Sequence, residues 1–115
     1  MNLNVKVLKL SGMLNAQTGD KLRQEISDCA ETGVNIILVD LKHVNFVDSS
    51  GLGALVSSRQ ILNKVNGKLF ICTVNEQVKA LFELTKMDRI FQIFADRDEF
   101  YRQVLNLNIN FVTID

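Results

Sequence analysis

The sequence predicts an α/β fold, a single domain with a mostly parallel or mixed sheet of about four to five strands and about four helices. Three observations carry that expectation. Apolar, β-branched runs alternate along the chain with segments whose apolar residues repeat at helical spacing. One run, Val34–Leu41, is almost continuously apolar, as suits a strand buried on both faces of a sheet. The 115 residues contain no proline, 47% hydrophobic residues and 23% charged ones, which suits one compact domain without linkers.

The elements follow in order. Val5, Val7 and Leu10 alternate with Lys6 and Lys9 and predict a first strand ending at Ser11-Gly12. Asn15 is placed to cap a helix over residues 17–31, in which Leu22, Ile26, Cys29 and Ala30 share a face and Gly33 is the stop. A strand over 35–41 and a short continuation from Val44 to Val47 come next. A helix over 51–66 places Leu52, Leu55, Val56, Leu62 and Val65 roughly on one face and is closed by Asn66-Gly67. Lys68–Val74 reads as a strand, and Asn75 as the cap of a helix carrying Val78, Leu81, Phe82 and Thr85. Arg89–Phe94 (RIFQIF) predicts a fourth strand, and Asp96 with Glu99 a capping box before Phe100, Val104 and Leu105. Parallel neighbours need crossovers of this length, which is why the alternation implies a parallel sheet. Residues 106–115 (NLNINFVTID) alternate Leu107, Ile109, Phe111 and Thr113 with mostly polar residues, and predict an extra edge strand, on its own domain or swapped onto a second copy. The chain is thus expected to be a monomer, with a dimer as the alternative.

Composition excludes several functions. Thirteen basic residues balance thirteen acidic ones, so no global field gathers nucleic acid or anionic lipid. Cys29 and Cys72 lie far apart without a C-x-x-C, and His43 is the single histidine, so neither a metal set nor a cofactor site is expected; the cysteines read as buried, reduced thiols. Apolar runs fall far short of the about 20 residues of a membrane span, and no signal-peptide core is present, which points to the cytoplasm.

The informative stretch is Asn45–Gly53, where a buried strand stops, two hydroxyls follow and a helix begins. Asp48, Ser49 and Ser50 can accept from the first free amides of that helix, and Gly51 and Gly53 leave room for a visitor. Catalysis by this turn fits poorly. A nucleophile elbow requires G-x-S-x-G, whereas Val47 and Asp48 stand two residues before the serines. His43, in a polar turn, is a weak general base, and the phosphate-loop lysine is missing. The alternatives left open are a purely capping role and a phosphoryl acceptor. At such a site the helix dipole favours an added dianion by roughly 0.3–1 kcal/mol while Asp48 opposes it.

Asp40-Leu41, the turn Val47-Asp48-Ser49-Ser50-Gly51-Leu52-Gly53, Gly12 and Leu14 upstream, and Val74–Phe82 downstream together resemble the STAS domain of bacterial anti-sigma-factor antagonists. The resemblance covers nearly the whole chain, 1–115, and implies a STAS-type fold without enzymatic activity. It implies that Ser49 is the phosphoacceptor, modified by an anti-sigma factor that is also a serine kinase and restored by a serine phosphatase. It further implies that the unmodified form binds the anti-sigma factor, with Asp48, Ser50, Gly51, Leu52, Gly53 and Asn15 shaping the contact turn. Two features depart from the family: its usual G-E-L-D is here Gly12-Met13-Leu14-Asn15, without either carboxylate, and the extra N-terminal strand is short or missing. The alternatives are a STAS subunit of another assembly, such as a lipid-trafficking ABC transporter or a stress-signalling complex, and a small hydrolase.

Overall fold

The computed structural model describes residues 4–106. Four parallel strands form one sheet in the order β1-β2-β3-β4: β1 Val5–Leu14, β2 Ile36–Val47, β3 Lys68–Cys72 and β4 Ile93–Phe94. The helices are α1 Ala16–Glu31, α2 Ser49–Asn63, α3 Glu76–Leu84 and α4 Arg97–Gln103, with a 3₁₀ turn at Met87–Arg89. The predicted α/β alternation is therefore the one observed. The strand expected over 106–115 lies outside the described residues, apart from Asn106.

β2 is an inner strand, buried on both faces over Ile36–Leu41. Ile37, Val39 and Leu41 pack with Leu22 and Ile26 of α1, Leu55 and Leu62 of α2, and Val78 and Phe82 of α3. Ile36 and Leu38 face the other way, into a smaller core with Phe70, Cys72, Phe94 and Phe100. The period-two geometry of a strand makes this division, and the two layers explain why the run reads as continuously apolar. In the smaller core the rings of Phe70, Phe94 and Phe100 lie with centroids 5.4–5.9 Å apart, in the tilted or edge-on arrangements that aromatic rings prefer.

Several expectations are corrected. In β1 the buried residues are Leu8, 5% exposed, and Leu14, whereas Val5 is 37% exposed and Val7 half-buried. The Val-Lys alternation suggested the opposite face, because both faces of the sheet are covered and pattern alone does not rank them. β1 also runs past Ser11-Gly12 to Leu14, and β2 is one strand, not two. While β1 advances from Lys9 to Ser11, β2 advances from Asp40 to His43; while β1 advances from Gly12 to Met13, β2 advances from Val44 to Phe46. Each step places one additional residue in β2, a bulge that breaks alternation and mimics a strand boundary in the sequence. His43, expected in a turn, stands in this bulged strand and is exposed.

The helix expected over 51–66 begins at Ser49 and ends at Asn63, which leaves Val65 47% exposed and off the helical face. Asn66, not Gly67, takes the left-handed conformation at φ 61°, and the Gly67 amide closes on the Leu62 carbonyl at 2.8 Å. Thr85 is not a core residue but the C-cap of α3, its hydroxyl donating to the Leu81 carbonyl at 2.7 Å. RIFQIF yields only the two-residue β4, since Arg89 belongs to the 3₁₀ turn and Phe91 is buried opposite Phe82. Phe91 is placed by packing and not by pairing, and Ile90 is left 40% exposed. Of the two thiols, Cys72 is buried as expected and Cys29 only half-buried.

Asp40 is the buried charge, 3% exposed on the α4 side of the sheet. Its carboxylate accepts from the Lys42 amide at 2.9 Å and from Arg97 Nε at 2.7 Å. Burial pushes its pKa up, but these bonds and the positive charges of Arg97 and His43 outweigh burial and hold it below the ordinary value. A carboxyl lowered on folding stabilises the fold above its unfolded pKa of about 4, and that contribution disappears as pH falls through the folded value. Asp40→Asn is therefore expected to cost about 2 kcal/mol at pH 7. The difference from wild type should shrink below about pH 4, as read by urea midpoints across pH.

Candidate functional site

The sheet's carboxyl edge converges on the Asp48 turn. β1 and β2 end side by side, with Leu14 opposite Val47, and the Asp48 amide donates to the Leu14 carbonyl at 3.1 Å. Asp48 is in extended conformation and caps α2, its Oδ1 accepting from the Gly51 amide at 2.8 Å. α1 starts beside it. Asn15 Oδ1 accepts from the Thr18 amide at 3.1 Å, and the Asn15 amide donates to Thr18 Oγ1 at 2.9 Å, a full capping box. Thr18 also donates its hydroxyl to the Met13 carbonyl at 2.8 Å, pinning the β1–α1 corner.

The glycines have different duties than the sequence suggested. Gly51 is buried, and a Cβ there would lie 2.2 Å from the Leu14 carbonyl oxygen. It permits close approach of β1, not of a visitor. Gly53 is exposed, and a Cβ there would meet nothing within 4 Å. Gly19 was not singled out from the sequence, yet a Cβ there would come 2.7 Å from Ala54 Cβ, so it sets the approach of α1 to α2. Leu52, expected at the contact surface, is 9% exposed and belongs to the core.

Ser49 and Ser50 are the first two residues of α2, and both are exposed. Ser49 is thus inside the first turn, not just before it, and exposure does not distinguish the two hydroxyls. Their position at the positive end of a 15-residue helix suits added negative charge. The single histidine, His43, lines a separate cavity with Asp40, Lys42, Thr73 and Arg97. Among the described residues no group of three or more His, Cys, Asp or Glu side chains is placed to hold a metal. No helix among them is long and apolar enough to cross a membrane.

The exposure of two residues beside the turn was not foreseen from the sequence. Met13 and Phe46 are register partners at the ends of β1 and β2, and they are 48% and 50% exposed. The bulge after Val44 turns Phe46 outward between inward Val44 and Val47. Phe46 opens onto a groove of about 380 Å³ against α3, lined also by Val47, Val78, Ala80 and Leu81. Asn75 fixes the groove's width, since its Oδ1 caps α3 through the Val78 amide while its Nδ2 donates to the Val44 carbonyl. The available signal was the three-residue spacing Val44-Val47, which a regular strand does not use.

Comparison with known proteins agrees with this architecture. Residues 2–100 match the family described as STAS domain. The chain is 30% identical over 91 residues to an anti-sigma F factor antagonist of Paenibacillus polymyxa, covering 78% of each chain. It is 29% identical over 101 residues to an anti-sigma-B factor antagonist of Staphylococcus aureus, covering 81% of this chain and 94% of that one. A crystal structure of a Thermotoga maritima protein superposes with a TM-score of 0.81 at 26% identity, over 88% of this chain and 87% of that one.

Proposed function

This chain belongs to the STAS domain family, and on that premise we propose that it is an anti-sigma factor antagonist: a single domain, acting in the cytoplasm, that binds an anti-sigma factor while Ser49 is unmodified and releases it once Ser49 is phosphorylated. The observation that carries the reading is the exposed Ser49 at the N-terminus of α2, on a turn tied by the Asp48 carboxylate to the Gly51 amide and by the Asp48 amide to the Leu14 carbonyl. Its partner would be an anti-sigma factor with serine kinase activity, and a serine phosphatase would reset it. In the forward step Ser49 Oγ attacks the γ-phosphorus of ATP held by the kinase, the bond to the β,γ-bridging oxygen breaks, ADP leaves, and the hydroxyl proton passes to a base on the kinase. The chain supplies only the acceptor and its presentation. Positions 13 and 15 carry no carboxylate, and the acceptor turn itself carries one, Asp48.

Incubation with the cognate kinase and ATP is expected to add one phosphate, on Ser49 and not on Ser50. Both hydroxyls are exposed, so the choice rests on the likeness of Asp48-Ser49-Ser50-Gly51 to the family's phosphorylated turn. Phosphopeptide mass spectrometry that places the group on Ser50 would refute the assignment.

A further inference from the structure

We infer that the groove between Phe46 and α3 is the apolar anchor site for the same partner that acts at Ser49, and that it receives an uncharged apolar side chain of that protein; this rests on the switch reading above. Ser49 follows Phe46 by three residues, which at full extension span at most about 11 Å. A partner patch of standard size, roughly 800 Å², reaches about 16 Å from its centre. A protein that docks with Ser49 at its centre therefore has the exposed Phe46 within its reach. Met13, paired across from Phe46, falls under the same footprint.

The chemistry under that footprint is uneven. At its centre the turn offers hydroxyls and one carboxylate. Beside it Phe46 leaves half its surface in water, and none of the residues lining the adjoining groove is charged. Half-exposed aromatic residues next to a concavity are the pattern of interface anchors, where a few buried contacts supply most of the affinity. The turn then supplies control and the groove supplies strength. Phosphorylation acts on the first without touching the second, so a phosphate on Ser49 must overcome an attraction that Phe46 provides.

The test uses the full chain and its cognate anti-sigma kinase in calorimetric titration and in steady-state phosphorylation. Phe46→Ala is expected to weaken binding about thirtyfold, as truncation of an anchor does. Ala80→Arg, on an exposed position of α3, should have a similar effect by filling the groove. Val65→Ala, an equally exposed apolar residue outside the groove, should bind as wild type. Phe46→Ala should raise KM for phosphorylation and leave kcat unchanged, which a general loss of folding would not do. The Kd should change little between roughly 50 and 500 mM salt, as an uncharged anchor requires. If Ser49→Asp blocks binding while Phe46→Ala and Ala80→Arg bind as wild type, the groove is not the anchor and the switch stands. If Ser49→Asp binds as wild type, the switch fails, and the Phe46 variant still reports on the groove.

Discussion

Ser49→Asp is expected to abolish binding of the anti-sigma factor, or to weaken it by more than a hundredfold, while the fold keeps its stability to within about 1 kcal/mol. The two halves of this expectation have separate causes. Aspartate is well tolerated in the first turn of a helix, where it faces the positive end of the dipole, and Ser49 is exposed, so no packing is lost. A docked partner, however, must desolvate the new charge. Without a basic counterpart that costs several kcal/mol, and each 1.4 kcal/mol is about tenfold in affinity. A phosphate, with a charge of about −1.5 to −2, raises the cost further. Ser49→Ala should bind as wild type and resist inactivation by the kinase. Calorimetric titration in which the aspartate variant binds as tightly as wild type would reduce Ser49 to a residue of the helix start.

Gly51→Ala should destabilise the domain by about 3 kcal/mol or more, whereas Gly53→Ala, two residues away on the same helix, should be neutral or stabilising by up to about 1 kcal/mol. The contrast follows from what each Cβ would meet. At Gly51 it would lie 2.2 Å from the Leu14 carbonyl oxygen and 2.8 Å from its carbonyl carbon, both backbone atoms that a rotamer change cannot move. The end of β1 would have to separate from α2, breaking the Asp48–Leu14 hydrogen bond and moving the turn that presents Ser49. At Gly53 nothing lies within 4 Å, and alanine removes the entropic weakness of glycine inside a helix. Urea denaturation of the two variants gives the comparison. Equal midpoints would mean that β1 and α2 are not in the register described, and the site geometry would fall with it.

Much of this molecule is legible in one dimension because the signals are local. Asn15, Asp48, Asn75 and Asp96 each cap the helix expected of them, since a cap is a bond from a side chain to an amide two or three residues on. Glu99 departs slightly, reaching the Ala95 amide at 3.0 Å, one residue before the cap. The inner strand β2 was recognisable because burial on both faces leaves an unbroken apolar run, and the Asp48-Ser49-Ser50-Gly51 turn because strand, cap and helix follow each other without a linker.

What the sequence by itself determined is therefore the order of elements, the helix starts and the place where a hydroxyl meets a helix N-terminus. The tertiary structure decided which residues face whom. Leu8 rather than Val5 is buried because it joins the larger core with α1 and α2, whereas the smaller core on the other face takes in Val7 and does not reach Val5. RIFQIF gives two strand residues because Phe91 finds Phe82. Gly51 serves β1 and not a visitor because Leu14, 37 residues earlier in the chain, lies against it. Phe46 points into water because one additional residue in β2 after Val44 shifts the register against β1. Each of these depends on a contact between segments distant in sequence, and a period of two or 3.6 records only that a residue has a buried side, not what lies on that side.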